Sequence, residues 1–435
     1  MLLACGLIAT GSCLAAEDAV APLPEPLTLD FALSLADGLH PDLLVAEAET
    51  EIALARRDRA ASAYGVNAGI NAEAKWIEPA ERAFDQSQND SRAGLYLSKR
   101  LYDFGHTRAN VAAADAQLSS QQLQYTDAQQ QHRLHILECY LDVLRADLDF
   151  RVQDEVMAIA YVRVDRARDR QELGQVSDIE RLEAETLYQE ARSARYQAQV
   201  QQRIQRVRLA EALYRPGQLS STLAEPDLKL IAVEPPELVE LSADVLQNNP
   251  YLQAMRAHTE AARERLQASR TLHRPVITGR AEAIEYERQT GSTDPWSVGL
   301  QLEVPLYTGG RGAAERALAR AELQRSEAEL ARAELRLRQE VQSLWEEIQL
   351  LRAGREETQT RMDYRELYLD RSRALYEMEV STDLGDAMIV SSQARRQQAD
   401  LEYRLLLNWA RLNALRGQPL FTVASIPTDQ EGGTP

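Results

Sequence analysis

The sequence predicts a mainly helical fold with a smaller β component. It is expected to be a tandem repeat of very long helices, arranged as an α-barrel, interrupted by four strands long enough to cross a membrane. Three observations carry this expectation. Glycine and proline are absent from His106 to Leu173 and, apart from Gly354, from Ala313 to Met378. Short segments between the helical stretches alternate apolar and polar residues with period two. The two halves of the chain also share motifs at nearly constant offset.

The leader comes first. Residues 2–16 (LLACGLIATGSCLAA) are apolar and small, then turn acidic at Glu17. This pattern predicts an export signal over residues 1–16, with cleavage near Ala15 or Ala16. Lipidation at Cys13 remains the alternative. A linker over 17–26 leads into the first repeat, 27–215. The inter-repeat linker 216–236 holds four prolines, the second repeat covers 237–418, and a tail covers 419–435.

At 1.5 Å per residue, an unbroken helix from His106 to Leu173 is roughly 100 Å long, well beyond the usual globular range. Its composition of Ala, Gln, Glu and Arg with scattered Leu suits close helix packing. Each long helix is followed by a break and a second long helix, Asp178–Leu213 and Asp383–Leu415. Pro216-Gly217 closes the first and Gly417 with Pro419 the second. The halves align at His40-Pro41-Asp42-Leu43 with Asn249-Pro250-Tyr251-Leu252, and at Leu101-Tyr102 with Leu306-Tyr307.

A pair of alternating segments precedes each long helix. Trp296, Val298, Leu300, Leu302, Val304 and Leu306 are apolar at every second position. So are Val66, Ala68, Ile70, Ala72, Ala74 and Trp76. Ala93, Leu95, Leu97 and Leu101 continue the theme, interrupted by Lys99, and Pro275–Glu287 is a weaker fourth segment. Such alternation fits an antiparallel sheet with one wet face. About ten residues is also the length of a tilted bilayer-spanning strand. Two features favour the membrane. The loops at Ala80–Asp90 and Gln289–Asp294 are polar, and the aromatics fall at the two strand ends, Trp76 and Trp296 at one, Tyr102, Phe104 and Tyr307 at the other. Four strands leave open edges, which lipid does not tolerate, so closure needs several copies of the chain.

Composition sets outer bounds. The chain has 435 residues, a formal charge of −18 and three cysteines. The acidity argues against nucleic acid as a partner. With Cys5 and Cys13 in the leader, Cys139 is left with no intrachain disulfide partner. No apolar run reaches 18 residues, which excludes a conventional transmembrane helix.

Catalytic and cofactor machinery is hard to find. Asp103-Phe104-Gly105 lacks the other kinase motifs, and Gly309-Gly310-Arg311-Gly312 lacks the lysine and hydroxyl of a phosphate loop. His132, His135 and Cys139 share one helical face, but a single straight helix rarely closes three ligands around one ion. No catalytic residue, cofactor or metal ligand is assigned, and the chain is not expected to be an enzyme.

The order of short helix, strand pair, very long helix, break and long helix, repeated, resembles the TolC-like outer-membrane efflux proteins. Leu27-Thr28-Leu29-Asp30 and His40-Pro41-Asp42-Leu43 resemble that family's N-terminal pattern. Leu101-Tyr102-Asp103-Phe104-Gly105 and Val304-Pro305-Leu306-Tyr307-Thr308-Gly309-Gly310 resemble its strand-to-helix junctions, and Gly174-Gln175-Val176-Ser177-Asp178-Ile179-Glu180 its periplasmic tip turn. The resemblance implies a homotrimer with a 12-stranded barrel in the outer membrane of a Gram-negative bacterium, above a long periplasmic tunnel. It implies a passive exit duct docked to a periplasmic adaptor and an inner-membrane pump, in efflux or type I secretion. Docking would use the tip residues Gly174, Val176 and Ser177. Glu379 stands where the second tip's glycine is expected, so that tip binds the adaptor differently or not at all.

Asp383 and Asp386 lie three apart at the start of the final helix, so both face one side. They serve there as helix-capping carboxylates or, multiplied by trimer symmetry, as acidic rings gating the tunnel mouth. A periplasmic coiled-coil structural protein without a pore is the competing reading of the whole chain.

Overall fold

Two helices of 67 residues each dominate the computed structural model, which describes residues 23–421 except 39, 219, 229–233, 289–293, 379 and 381–383. The expected leader 1–16 with Cys13, most of the 17–26 linker and of the tail, Glu379 and Asp383 lie outside the described residues.

The elements run α1 (Leu29–Ser34), α2 (Pro41–Ala61), β1 (Val66–Glu73), β2 (Arg92–Tyr102), α3 (His106–Glu172), α4 (Asp178–Ala212), α5 (Leu238–Asn248), α6 (Pro250–Arg270), β3 (Val276–Tyr286), β4 (Trp296–Glu303), α7 (Arg311–Glu377) and α8 (Leu384–Leu415). Element lengths recur: α2 and α6 have 21 residues each, and α3 and α7 have 67. The recurring His40-Pro41 and Asn249-Pro250 motifs do the same work. Each places a side-chain acceptor before a proline at the first helical position, where the missing N–H costs nothing. His40 Nδ1 accepts from Asp42 N at 3.3 Å and Asn249 Oδ1 from Leu252 N at 2.9 Å.

The described residues fall into two units, divided at 35/36, 138/139 and 226/227, so that α3 contributes to both. In the first unit the later part of α3 pairs with α4. Ion pairs link Asp147 to Arg206 (2.7 Å), Asp154 to Arg195 (2.5 Å) and Arg168 to Glu185 (2.8 Å). The Asp147–Arg206 pair is two-pronged and largely buried, the geometry in which such pairs hold register best. Tyr140 is fully buried, and its hydroxyl lies within hydrogen-bonding distance of the Leu27 and Ala224 carbonyls.

In the second unit α7 packs against α5, α6 and α8. Its buried positions change character along the helix. Ala319, Ser326 and Ala333 recur every seventh residue and let α6 approach closely, with Thr259 Oγ1 at 3.5 Å from the Ser326 carbonyl. Leu337, Val341, Leu344, Ile348 and Leu351 then follow at four- and three-residue steps, the seam of a coiled coil. Leu405, Leu406 and Leu412 of α8 are fully buried.

The same unit holds the sheet, ordered β1-β2-β3-β4 and antiparallel throughout. Two of the expected strand ends shift. Alternation carried the first segment to Trp76, but β1 ends at Glu73 and Trp76 forms only an isolated bridge with Asn89. Alternation also carried the last segment to Leu306, but β4 ends at Glu303, two residues before Pro305, which has no N–H for the ladder. No described helix is long and apolar enough to cross a membrane.

Candidate functional site

The sheet has two chemically different faces, set row by row by its register. On one face the rows read Val66–Lys99–Gly279–Leu300, Ala68–Leu97–Ala281–Val298 and Ile70–Leu95–Ala283–Trp296. On the other they read Asn67–Ser98–Arg280–Gly299, Gly69–Tyr96–Glu282–Ser297, Asn71–Gly94–Ile284 and Glu73–Arg92–Tyr286. The first face is apolar except for Lys99 and, in the row Ala72–Ala93–Glu285 at the loop end, Glu285; it is exposed, with Ile70 77%, Val298 74% and Leu300 75% accessible. The second carries charges that pair within the sheet, Arg92 with Glu73 at 2.6 Å and Arg280 with Glu282 at 3.5 Å. The outer strands β1 and β4 each pair on one side only. The sheet therefore has one exposed, mostly apolar face, a more polar opposite face and two open edges.

The register also sorts the aromatics. Trp296 sits at the loop end of the sheet, opposite Ala283, and Trp76 lies beyond β1 at that end. Tyr102 pairs with Ile277 at the helix end, with Phe104 and Tyr307 just past it. The Tyr102 and Phe104 rings meet edge-on, centroids 4.7 Å apart.

Where β2 passes into α3, Asp103 is almost fully buried, and its role was missed by the sequence reading. Its carboxylate accepts from Gly105 N (3.2 Å), Thr107 N (2.8 Å) and Thr107 Oγ1, with Arg100 Nη1 at 3.5 Å. Burial pushes the Asp103 pKa up, but the Thr107 and Gly105 hydrogen bonds, with Arg100, outweigh it and hold the group below the usual carboxylate range. Phe104 and Gly105 both have positive φ, 54° and 93°, left-handed backbone that ends the strand before the helix begins. His106 Nδ1 lies 2.9 Å from Thr271 Oγ1, and Arg274 donates to the Phe104 carbonyl at 3.0 Å, fastening this junction to the end of α6. The available signal was an acidic residue four before a hydroxyl at a helix start.

The first tip turn joins α3 to α4. Gly174 has φ +67°, its N–H bonds the Gln171 carbonyl, and Gln175 N bonds that of Arg170, a helix-ending left-handed turn. Ser177 caps α4 and forms a reciprocal box with Glu180. The backbone and side-chain bonds from Ser177 lower the Glu180 pKa. Val176 is half-buried, whereas Leu173, Ile179 and Leu182 around it are exposed. At the corresponding break in the other unit Met378 and Val380 are exposed. Asp386 is exposed in the first turn of α8.

Of the histidines on the α3 face, His132 is buried and its ring meets that of His40, centroids 4.2 Å apart and planes tilted by 35°. Burial, then the neighbouring His40 and His135, push its pKa down to about 4. Among the described residues no group of three or more His, Cys, Asp or Glu is arranged to hold a metal ion.

The family profile described as outer membrane efflux protein matches residues 32–213 and 241–418. The chain belongs to that family. Its location is the outer membrane. The outer membrane efflux protein BepC of Brucella suis biovar 1 is 25% identical over 267 residues, covering 60% of this chain and 57% of BepC. The match therefore spans little more than half of that relative's length. The crystal structure of VceC from Vibrio cholerae superposes with a TM-score of 0.72 at 18% identity, covering 90% of this chain and 96% of VceC. The Campylobacter jejuni CmeC outer membrane channel gives 0.74 at 14% identity, over 89% and 85%. Likeness at these identities is one of fold, a mainly helical chain with a small sheet. Several of its solved neighbours, CmeC among them, are outer membrane channels.

Proposed function

We propose that the chain is one third of a passive exit duct, a homotrimer whose sheets join edge to edge into a 12-stranded barrel above a helical tunnel. The observation that carries this reading is the open sheet, apolar on one face and polar on the other. A periplasmic coiled coil without a pore has no use for such a sheet. Family membership, and the words efflux and channel in the names of BepC and CmeC, support the same conclusion. The duct needs no catalytic group or cofactor. Energy comes from an inner-membrane pump, reached through a periplasmic adaptor, in efflux or type I secretion.

Recovery from the outer-membrane fraction as a detergent-stable trimer that conducts ions in planar bilayers is the expected result. A soluble periplasmic product without conductance refutes the duct and leaves the coiled coil.

The aromatics Trp76 and Trp296, and Tyr102, Phe104 and Tyr307, mark the two interfaces of the barrel with lipid. The first tip is the adaptor-docking turn, with Gly174, Val176 and Ser177 shaping it and the exposed Leu173 and Ile179 supplying contact area. Glu379 belongs to the second tip. In Gly174→Leu the added Cβ meets no atom within 4 Å, and the left-handed backbone there costs about 1–2 kcal/mol of strain. Efflux is expected to fall while trimer yield and channel conductance stay near wild type; loss of the trimer instead would show that the turn is only structural.

Asp383 and Asp386 form the gate, threefold-repeated carboxylates at the tunnel mouth that favour cations. The double variant Asp383→Asn with Asp386→Asn is expected to relax cation selectivity and weaken block by multivalent cations. Unchanged single-channel conductance and block would leave these residues as helix caps.

A further inference from the structure

We propose that the outer face of the sheet carries a binding groove for one phospholipid, an acyl chain lying along β3 and the phosphate on Lys99; this rests on the duct reading of the sheet. The groove measures about 290 Å³ and is lined by Leu97 and Val66 on one side and by Val298 and Leu300 on the other, with Gly279 and Ala281 as its floor. The floor is low because β3 places Gly279, Ala281 and Ala283 between the longer side chains of β2 and β4. From Gly279 to Ala283 it extends roughly 14 Å along the strand. A hydrocarbon chain fills such a trough, whereas water cannot solvate its walls.

Lys99 stands at the helix end of this trough. Lysine occurs only at 75, 99 and 229 in a sequence whose other cations are arginine. Lys75 pairs with Asp90 at 3.3 Å. No carboxylate pairs with Lys99 among the described residues, although it is exposed in a row whose other members are Val66, Gly279 and Leu300. A lone cation on the lipid side of a barrel is tolerated near the interface, where its stem lies along apolar surface and its ammonium reaches headgroup phosphate. The row lies at the end where β2 leads into α3, the periplasmic side. That leaflet of an outer membrane is phospholipid, so the ammonium meets a single phosphate diester rather than a sugar-borne phosphate cluster. Lys99 itself lines the apolar trough, so cation and hydrocarbon surface lie side by side, which selects a lipid over free phosphate.

The test uses the full chain in nanodiscs of phosphatidylethanolamine doped with an analogue carrying a diazirine on its acyl chain. Photolabel is expected to concentrate on peptides holding Gly279–Ala283 and Val298–Leu300. Ala281→Phe, which fills the floor, should remove most of that label. Lys99→Gln should weaken lipid retention during detergent washing about tenfold, as read by native mass spectrometry, the equivalent of one charged contact. Ser98→Gln on the opposite face should change neither. Label spread evenly around the sheet, or unaltered in both groove variants, overturns the site while leaving the duct intact. Wild-type protein recovered without membrane or oligomer overturns the duct itself, and the groove with it.

Discussion

Asp103→Ala is expected to destabilise the folded chain by about 3 kcal/mol, combining loss of a helix-start acceptor with charged hydrogen bonds left unmade in a buried place. Gly105 N, Thr107 N and Thr107 Oγ1 all lose their acceptor, and Arg100 loses its nearest carboxylate. The effect falls where β2 passes into α3, so loosening is expected to begin at the attachment of the sheet to the helices. The pH dependence has a definite sign. The folded Asp103 pKa lies below the unfolded value of 3.8, so its stabilisation is complete well above that value and is lost as pH falls through the folded pKa. The gap between wild type and Asp103→Ala should therefore be constant from neutrality to about pH 5 and shrink below pH 4. Thermal unfolding in detergent across that range measures it. A gap that grows on acidification would show that Asp103 is held protonated. Asp103→Asn keeps one acceptor oxygen and the shape, and should recover part of the loss.

Asp103 also shows where reading the sequence stops. The long helices α3 and α7 were legible because their signal is local: nothing between His106 and Leu173 can break a helix. The strands were legible because alternation records two faces. Alternation counts side chains, however, and pairing requires backbone donors. It therefore overran Glu303 towards Pro305, and overran Glu73 into the loop that holds Trp76. Asp-Phe-Gly was read only as a strand ending before a helix. What makes Asp103 matter is burial together with Thr107 and Arg100, at a junction that the end of α6 reaches from distant sequence. Lys99 was legible as an interruption of the apolar row. Its place at the helix end of the sheet needed the register with Val66 and Gly279. For the tip, Gly174 and Ser177 were legible as a helix stop and a cap, since both depend on residues within a few positions. The gate was not legible to the same degree. Whether Asp386 faces the axis depends on neighbouring copies of the chain, which a single sequence does not encode as a pattern.

The face assignment of the sheet has the largest consequence, and neighbouring residues on β2 test it. Leu97 and Ser98 are adjacent in sequence and point to opposite faces. Leu97 shares its row with Ala68, Ala281 and Val298, away from both ends of the sheet, whereas Ser98 shares its row with Asn67 and Arg280. If the apolar rows meet lipid, Leu97→Arg places a guanidinium in hydrocarbon at a cost of about 2–4 kcal/mol, depending on depth. Three copies per barrel multiply that penalty, so outer-membrane trimer should be almost absent. Ser98→Arg puts the same charge in the water-filled lumen. It should assemble normally and change only ion selectivity, because Glu282 in the next row is near enough to screen it. The pair shares backbone, strand and inserted residue, so differences in β propensity or expression do not separate them. Equal trimer yields from the two variants would remove the inside–outside assignment, and opposite results to those expected would invert it. Only the expected asymmetry is compatible with a barrel wall whose polar rows face its lumen, in a chain of net charge −18 with no membrane-crossing helix among the described residues.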